Sequence, residues 1–282
     1  MKLTADNLPS YKHPPVVEVV LSSQFAAIER LTAAHLGLLW EKFRGEFPET
    51  EQHPPAPHQV ETFGQLRSLR NELSMRLINE FPIPRFWFKD QNGNQLVQVQ
   101  SDRFMHNWRK KEECDNYPRY PEIRRKFIDE LRLFEKFLSS EKLGSLVFDQ
   151  CEITYFNHIV PLSHPSKSTP NPEDVVTFLS NVIGKELNCV PDDVKSVQKF
   201  PITENGAQIG RLHIEFQSGV RLTDNIPIFI LNLTARMAPR ESTIDGVLER
   251  LDLGRIWIIK AFQACSTETM RVAWGEYYEP DN

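Results

Sequence analysis

The sequence predicts an α+β fold built from two related modules in tandem, each an antiparallel sheet packed on a long helix. Two observations indicate this class. Runs of β-branched and aromatic residues are bounded by turn signals, which is typical of strands, and long amphipathic stretches follow them. The order β-α-β-β-(β)-α then occurs twice, across residues 14–144 and 145–275. We therefore divide the chain into a first module, 1–144, with a polar N-terminal arm, and a second module, 145–282.

The elements of the first module follow from local signals. Val16–Leu21 is a β-branched run that predicts a strand, and Thr32 is the expected N-cap of an amphipathic helix. Asn92-Gly93 lies between two strand-like runs and predicts a tight hairpin. Pro121 opens a second, longer helix. The pattern over residues 60–80 is mixed, and we predict a strand there.

The second module begins with a strand over Phe148–Ile159. Asn171 followed by Pro172 predicts a helix that continues through Val182 and ends at Gly184. Ser242 and Asp245 resemble a capping box at the start of a long helix. The remaining strands are expected at 197–203, 209–217 and 226–237, with a turn at 204–206.

The composition excludes several classes of protein. With 40% hydrophobic and 25% charged residues, the 282-residue chain is typical of a globular protein rather than a disordered one. A net charge of −5 argues against a nucleic-acid packaging role, although it permits a local basic patch. The four cysteines are widely spaced, as expected of structural thiols in a reducing compartment. No secretory signal or membrane-spanning run is present, so we predict a cytoplasmic protein without membrane association.

The sequence contains none of the common catalytic motifs. We find no phosphate-binding Gly-x-x-x-x-Gly-Lys loop, no Gly-x-Gly-x-x-Gly, no His-Glu-x-x-His, no Cys-x-x-Cys and no Gly-x-Ser-x-Gly. We therefore predict no cofactor and no metal site, and we favour a non-catalytic protein.

Residues 103–126 combine positive charge with aromatic rings. They hold eight basic and four acidic residues, and such mixtures occur on surfaces that track a nucleic-acid backbone and stack on its bases. The alternative is a solvated loop and helix face whose aromatic residues pack against the core. The candidate binding residues from this segment are Arg103, Asn107, Trp108, Arg109, Lys110 and Tyr120.

Three further candidates lie on the first strands of the two modules. Glu18 is on the first strand of the first module, and Glu152 and His158 are on the first strand of the second. Glu18 and Glu152 occupy apolar strands, where a buried carboxylate needs a partner such as Arg211 or Arg85. Each of the two glutamates either forms a structural ion pair or contacts a ligand. His158 is either an acid–base group or a hydrogen-bonded structural histidine.

Five short motifs together resemble a sporadically distributed family of uncharacterised bacterial proteins of about this length. They are Pro14-Pro15-Val16-Val17-Glu18, Gln98-Val-Gln100, Asn107-Trp108-Arg109, Tyr155-Phe-Asn157-His158 and Trp274-Gly275. The resemblance implies a bacterial cytosolic protein with the patchy occurrence of mobile or defence-associated genes. It implies no established activity and assigns no residue a role.

Three hypotheses of function follow. The first is a non-catalytic binding protein that recognises a protein partner or a small ligand, as a sensor or accessory component of a mobile or defence-type locus. The second is nucleic-acid binding through residues 103–126. The third is a hydrolase-type enzyme that uses His158 with Glu152 or Glu18. A homodimer is a further candidate, because sheets with free edges often pair.

Overall fold

A computed structural model describes residues 8–58, 60–62, 83–162 and 170–278. Helices and antiparallel strands are both present, so the α+β class is confirmed. The strands are β1 (Pro9–Tyr11), β2 (Val16–Phe25), β3 (Glu49–His53), β4 (Arg85–Lys89), β5 (Gln95–Gln100), β6 (Arg103–Arg109), β7 (Phe148–Ile159), β8 (Lys195–Glu204), β9 (Ala207–Arg221), β10 (Ile226–Met237) and β11 (Glu276–Tyr278). The helices are α1 (Ala33–Phe43), α2 (Tyr120–Ser140), α3 (Val182–Leu187), α4 (Ile244–Cys265) and α5 (Glu268–Ala273).

The strands form one nine-stranded sheet and one small ribbon. The order in the large sheet is β3-β4-β5-β6-β2-β7-β10-β9-β8, and every neighbouring pair is antiparallel. The five strands of the N-terminal half meet the four of the C-terminal half where β2 pairs with β7, with Leu21 opposite Ile153. The ribbon joins β1 to β11, which brings the two ends of the described chain together.

The helices α1, α2 and α4 pack on the same face of the sheet, which we call the helix face. Side chains alternate along a strand, so every second residue points to this face. Phe104 of β6 contacts Phe127 and Phe134 of α2 at ring-centroid distances of 6.1 and 5.4 Å. Likewise, Phe43 of α1 lies 5.7 Å from Phe88 of β4. We call the opposite side of the sheet the second face.

The helix predicted from Asn171 to Gly184 is wrong. A single 3-10 turn spans Pro172–Asp174, and Gly184 lies inside the separate short helix α3. Three β-branched residues in a row, Val175–Thr177, disfavour a helix because their side chains crowd the preceding turn. The backbone instead hydrogen-bonds to the end of α4, where the Thr177 N–H donates to the Cys265 carbonyl at 2.8 Å.

Several other local predictions are confirmed with changed bounds, and β2 and β9 each extend four residues beyond the predicted end. The two hairpins predicted at Asn-Gly pairs form, with positive φ at Gly93, Asn205 and Gly206. Helix α4 is capped by Thr243 rather than Ser242, because the Thr243 hydroxyl accepts from the Gly246 N–H at 3.0 Å. The strand predicted within 60–80 lies almost entirely outside the described residues. In the described ranges, no helix has the length and apolar character needed to cross a bilayer.

Candidate functional site: a tyrosine-lined cavity

A cavity of about 480 Å³ lies between the first turn of α2, helix α4, strand β7 and the terminal ribbon. This volume is within the roughly 300–1,000 Å³ of typical small-molecule sites. The apolar residues of its lining include Pro14, Val16, Leu233, Ile258, Ile259 and Phe262. The polar residues include Tyr11, Tyr117, Arg119, Tyr120, Tyr155, Asn157 and Arg255. We call this space the tyrosine cavity.

Strand β7 supplies two of the polar residues. Tyr155 and Asn157 are two positions apart, so both point to the helix face. The Asn157 amide nitrogen donates to the Leu231 carbonyl at 2.9 Å, which fixes this buried side chain. The Tyr155 hydroxyl lies 3.1 Å from the hydroxyl of Tyr117, a residue of the loop that leads into α2.

The start of α2 supplies Tyr120, and Arg119 is the residue directly before the helix. The Tyr120 hydroxyl donates to Asp252 Oδ1 of α4 at 2.7 Å. Arg119 adopts a positive φ of 71° as the residue before the helix, and its guanidinium donates to the Tyr11 carbonyl at 3.0 Å. The start of α2 is therefore held to α4 on one side and to strand β1 on the other.

Four tyrosines of the cavity, Tyr11, Tyr117, Tyr120 and Tyr155, are protonated at neutral pH. Burial raises the pKa of Tyr117, Tyr120 and Tyr155 above the ordinary value of 10, because a buried phenolate loses its hydration. Burial and the neighbouring Glu276 carboxylate raise the pKa of Tyr11 in the same direction. Each hydroxyl is therefore a neutral group that can both donate and accept a hydrogen bond.

The charge of the lining is positive. Arg119 and Arg255 line the cavity, and the lining contains no carboxylate. Their guanidinium carbons lie 5.6 Å from the Tyr117 ring and 5.1 Å from the Tyr120 ring, as in cation–π contacts. Across the described residues, neither arginine forms an ion pair, and the buried Nε of Arg255 has no hydrogen-bond partner.

Of the nine residues predicted from the sequence, Tyr120 alone lines the tyrosine cavity. Trp108 is 3% exposed, and its ring centroid lies 5.3 Å from that of Tyr117. Its ring therefore belongs to the core beside the cavity and is not on a surface where nucleic-acid bases could stack. Lys110 lies in the loop after β6, where its amine pairs with Glu113 at 3.2 Å. The remaining six share the second face: Glu18, Arg103, Asn107, Arg109, Glu152 and His158.

On the second face, Glu18 takes part in a chain of side-chain hydrogen bonds. The Asn107 amide nitrogen donates to Glu18 Oε1 at 2.6 Å, and the Gln98 amide nitrogen donates to Asn107 Oδ1 at 2.7 Å. Burial raises the pKa of Glu18, while Asn107 and the charge of Arg109 oppose that rise. These contacts hold the Glu18 carboxylate in place on the second face.

Glu152 is ion-paired on the same face, although its partner is neither of the predicted arginines. It pairs with Arg236 on the neighbouring strand β10. Arg236 also lies 3.6 Å from Glu61, which pairs in turn with Arg211 and His213. The cluster joins residues 60–62 to the sheet.

His158 does not form a catalytic pair with Glu152. The two residues are six positions apart on β7, roughly 20 Å at about 3.3 Å per residue. Burial and the charge of Arg221 lower the pKa of His158, so it is neutral at neutral pH. Glu18 lies on the adjacent strand, but its carboxylate is bound by Asn107.

Much of the positive charge in residues 103–126 is compensated by neighbouring carboxylates. Arg103 and Arg109 belong to strand β6, where Arg103 donates to Gln24 and to the Pro57 carbonyl. The ion pairs of the segment are Lys110–Glu113, Arg124–Asp252, Arg125–Asp129 and Lys126–Glu46. The segment therefore presents less net charge than its sequence indicates.

Sequence reasoning missed most of the cavity. Residues that line it come from both ends and the middle of the chain, which no spacing rule connects. One signal was present, because three of the five motifs quoted for the resemblance contribute residues at or beside the cavity. Pro14, Val16, Tyr155 and Asn157 line the cavity, and Trp274 packs on Tyr11 and Phe262 behind it.

Comparisons with known proteins add no identification. No protein-family model, curated protein or solved structure matches the chain. The described residues also contain no group of three or more His, Cys, Asp or Glu side chains arranged to hold a metal ion. The tyrosine cavity is therefore the candidate site on its geometry alone.

Proposed function

We propose that the protein is a non-catalytic binding protein that takes a small ligand in the tyrosine cavity. The observation that carries this proposal is the cavity itself, whose lining combines apolar side chains with tyrosines and with two arginines that have no carboxylate partner among the described residues. Ligand sites are typically apolar pockets in which a few polar groups fix the orientation of the bound molecule.

The position of the cavity supports a sensor. Its walls come from α2 in the N-terminal half and from β7 and α4 in the C-terminal half. A molecule in the cavity contacts both halves at once, so its binding energy favours one arrangement of α2 against α4. We propose that a protein partner binds one of these two arrangements in preference to the other and so responds to the ligand. In this proposal the protein is a cytoplasmic component of a mobile or defence-type bacterial locus.

We infer also that the two halves are an internal duplication. In the N-terminal half the first long strand pairs with the last, β2 with β6, and in the C-terminal half β7 pairs with β10 in the same way. Each last strand is followed by a long helix, α2 or α4. This shared connectivity supports the inference.

The proposal is tested by filling the cavity. Ile259→Trp places an indole in the cavity wall, whereas Ile256→Trp makes the same change on the same helix at a residue that does not line it. A metabolite library is screened by thermal shift, because a ligand that binds only the folded state raises Tm. We expect compounds that stabilise the wild type and Ile256→Trp but not Ile259→Trp.

Two results would contradict the proposal. One is a set of stabilising compounds that act equally on Ile259→Trp, since they bind elsewhere. The other is a library without any stabilising compound.

Nucleic-acid binding through residues 103–126 and homodimer formation stay predictions. The first predicts an affinity that falls steeply with salt, and a shallower salt dependence for Lys110→Ala. The second predicts a concentration-dependent mass in sedimentation equilibrium.

A further inference from the structure

We infer that the ligand of the tyrosine cavity is an organic anion: a flat apolar body that carries a carboxylate or a phosphate. This inference rests on the proposed function and adds the chemical class of the ligand.

The first step concerns charge balance. Arg119 and Arg255 place two guanidinium groups on a cavity whose lining lacks a carboxylate. Arg255 is partly buried, and a partly buried cation without a counterion carries a desolvation cost. The planar guanidinium matches the geometry of carboxylate and phosphate oxygens, with which it forms charge-assisted hydrogen bonds. An oxyanion therefore compensates this charge better than a neutral molecule does.

The carboxylates near the cavity do not supply this compensation, because other groups bind them. Asp252 is held by Tyr120 and by two hydrogen bonds from Arg124, at 2.7 and 2.9 Å. Glu276 accepts from Tyr11 and from Gln263, and it pairs with an arginine of α5. Tyr11, Tyr117, Tyr120 and Tyr155 contribute no negative charge, since burial keeps them protonated.

An unpartnered nitrogen lies on Arg255. Its Nε is buried and has no hydrogen-bond partner in the described part of the chain. Five other arginines of the described residues have an equally unpartnered Nε, so what distinguishes Arg255 is its place on the lining of the cavity. The first turn of α2 also lines the cavity and has no side-chain cap, and its helix dipole adds partial positive charge. Its one acidic residue, Glu122, is exposed and does not line the cavity.

The second step concerns the body of the ligand. The rings of Tyr117 and Tyr155 lie 6.4 Å apart at an interplanar angle of 77°. Tyr11 and Phe262 lie 5.2 Å apart in a similar edge-to-face arrangement. Walls built from aromatic edges and faces favour a flat apolar molecule, with which they form offset-stacked and edge-to-face contacts.

The test uses three probes with one ring system: 2-naphthoate, 2-naphthyl phosphate and the neutral 2-naphthamide. Binding is measured by isothermal titration calorimetry on the full chain. We expect at least one anion to bind roughly tenfold or more tighter than the amide, as a charge-assisted hydrogen bond predicts. The carboxylate and phosphate arms identify which oxyanion the cavity prefers.

Two variants locate the anion. Arg255→Gln removes the charge and is expected to abolish the preference for the anion, whereas Arg255→Lys keeps the charge and retains part of it. Arg125→Gln is the matched control, because Arg125 is an exposed arginine of α2 that does not line the cavity. Denaturant unfolding of each variant establishes that it is folded before titration.

The inference is overturned if the amide binds the wild type as tightly as the anions, or if Arg255→Gln and Arg125→Gln bind the anions alike. Neither result decides the proposed function. Absence of binding by all three probes also overturns the proposed ligand class. The thermal-shift comparison of Ile259→Trp with Ile256→Trp tests the proposed function independently.

Discussion

The Tyr120 hydroxyl donates a hydrogen bond to Asp252 Oδ1 at 2.7 Å, and this bond joins the two long helices of the molecule. Arg124, one turn further along α2, donates to both oxygens of the same carboxylate. The Tyr120 ring lines the tyrosine cavity on its other side, where it lies beneath the guanidinium of Arg255. A ligand that moves this ring therefore changes the contact between α2 and α4.

We expect Asp252→Asn to destabilise the protein by about 1–2 kcal/mol. The substitution removes the charge that Arg124 and the buried Tyr120 hydroxyl share, and hydrogen bonds to charged groups contribute more than neutral ones. The Asp252 side chain is 43% exposed, so solvent screening keeps the effect below that of a buried pair. Urea unfolding at neutral pH measures the change in the free energy of unfolding.

The control for Asp252→Asn is Asp129→Asn on α2, whose partner Arg125 is exposed. This pair is expected to contribute about 0.5 kcal/mol or less. Equal effects of the two substitutions would show that the Tyr120–Asp252 bond does not stabilise the helix pair.

Local signals in the sequence predicted most elements of the fold. The Asn-Gly turns, the Thr32 cap and the Pro at the start of α2 each act within a few residues, so their outcome depends little on the rest of the chain. The helix predicted from Asn171 was wrong for the opposite reason. Residues 175–177 hydrogen-bond to the end of α4, about 90 positions later in the chain, and such a contact overrides the local signal.

The candidate site was less predictable than the fold. The sequence analysis chose His158 from the Tyr155–His158 motif, but the alternation along β7 places Tyr155 and Asn157 at the cavity and His158 on the second face. Both faces of β7 are largely buried. Its hydrophobic pattern therefore does not indicate on which face the helices pack. Arg255 carried no local signal, because its neighbours in the cavity come from residues 9–16 and 117–121.

Gly254 sets the distance between α4 and the sheet. A Cβ at this position would lie 2.8 Å from Ile153 Cγ2 and 3.1 Å from the Cβ of Ala235. We expect Gly254→Ala to cost roughly 1–3 kcal/mol, because the methyl group forces the helix away from packed side chains. Thermal and urea unfolding measure the loss.

Gly37→Ala is the matched substitution, since Gly37 lies in α1 and a Cβ there meets nothing within 4 Å. It is expected to stabilise the protein by up to about 1 kcal/mol through helix propensity. If Gly254→Ala also stabilises the protein, α4 does not pack against the sheet as closely as in this structure.

His106 and Glu130 form a buried pair between β6 and α2, with His106 Nδ1 2.7 Å from Glu130 Oε2. Burial raises the pKa of Glu130, although His106 opposes the rise. We expect His106→Leu to cost about 3 kcal/mol or more, because it leaves the carboxylate buried without a partner. The double variant with Glu130→Leu is expected to cost much less than the sum of the single variants, as a double-mutant cycle by urea unfolding measures. Additive single effects would show that the two side chains do not interact.

Glu61 makes stability depend on pH in the acid range. Burial opposes its ionisation, but the hydrogen bond from His213 and the charges of His213, Arg211 and Arg236 lower its pKa from 4.5 to about 2. A carboxylate with a depressed pKa stabilises the folded state above its unfolded pKa and loses that contribution as pH falls toward the folded pKa. We expect Glu61→Gln to cost about 2–3 kcal/mol above pH 4.5, from a shift of this size.

The difference between the wild type and Glu61→Gln should shrink steadily between pH 4.5 and pH 2. Urea unfolding of both proteins across this range measures it, and comparison at each pH cancels the titration of all other carboxylates. Glu51→Gln is the control, because the pKa of Glu51 is also lowered to about 2 by its pairing with Lys89 and His53, but at an exposed site. Solvent screening makes such a pair weak, so its difference from the wild type should be small at every pH. A difference for Glu61→Gln that does not vary with pH would mean that residues 60–62 are not held to the sheet by the Glu61 carboxylate.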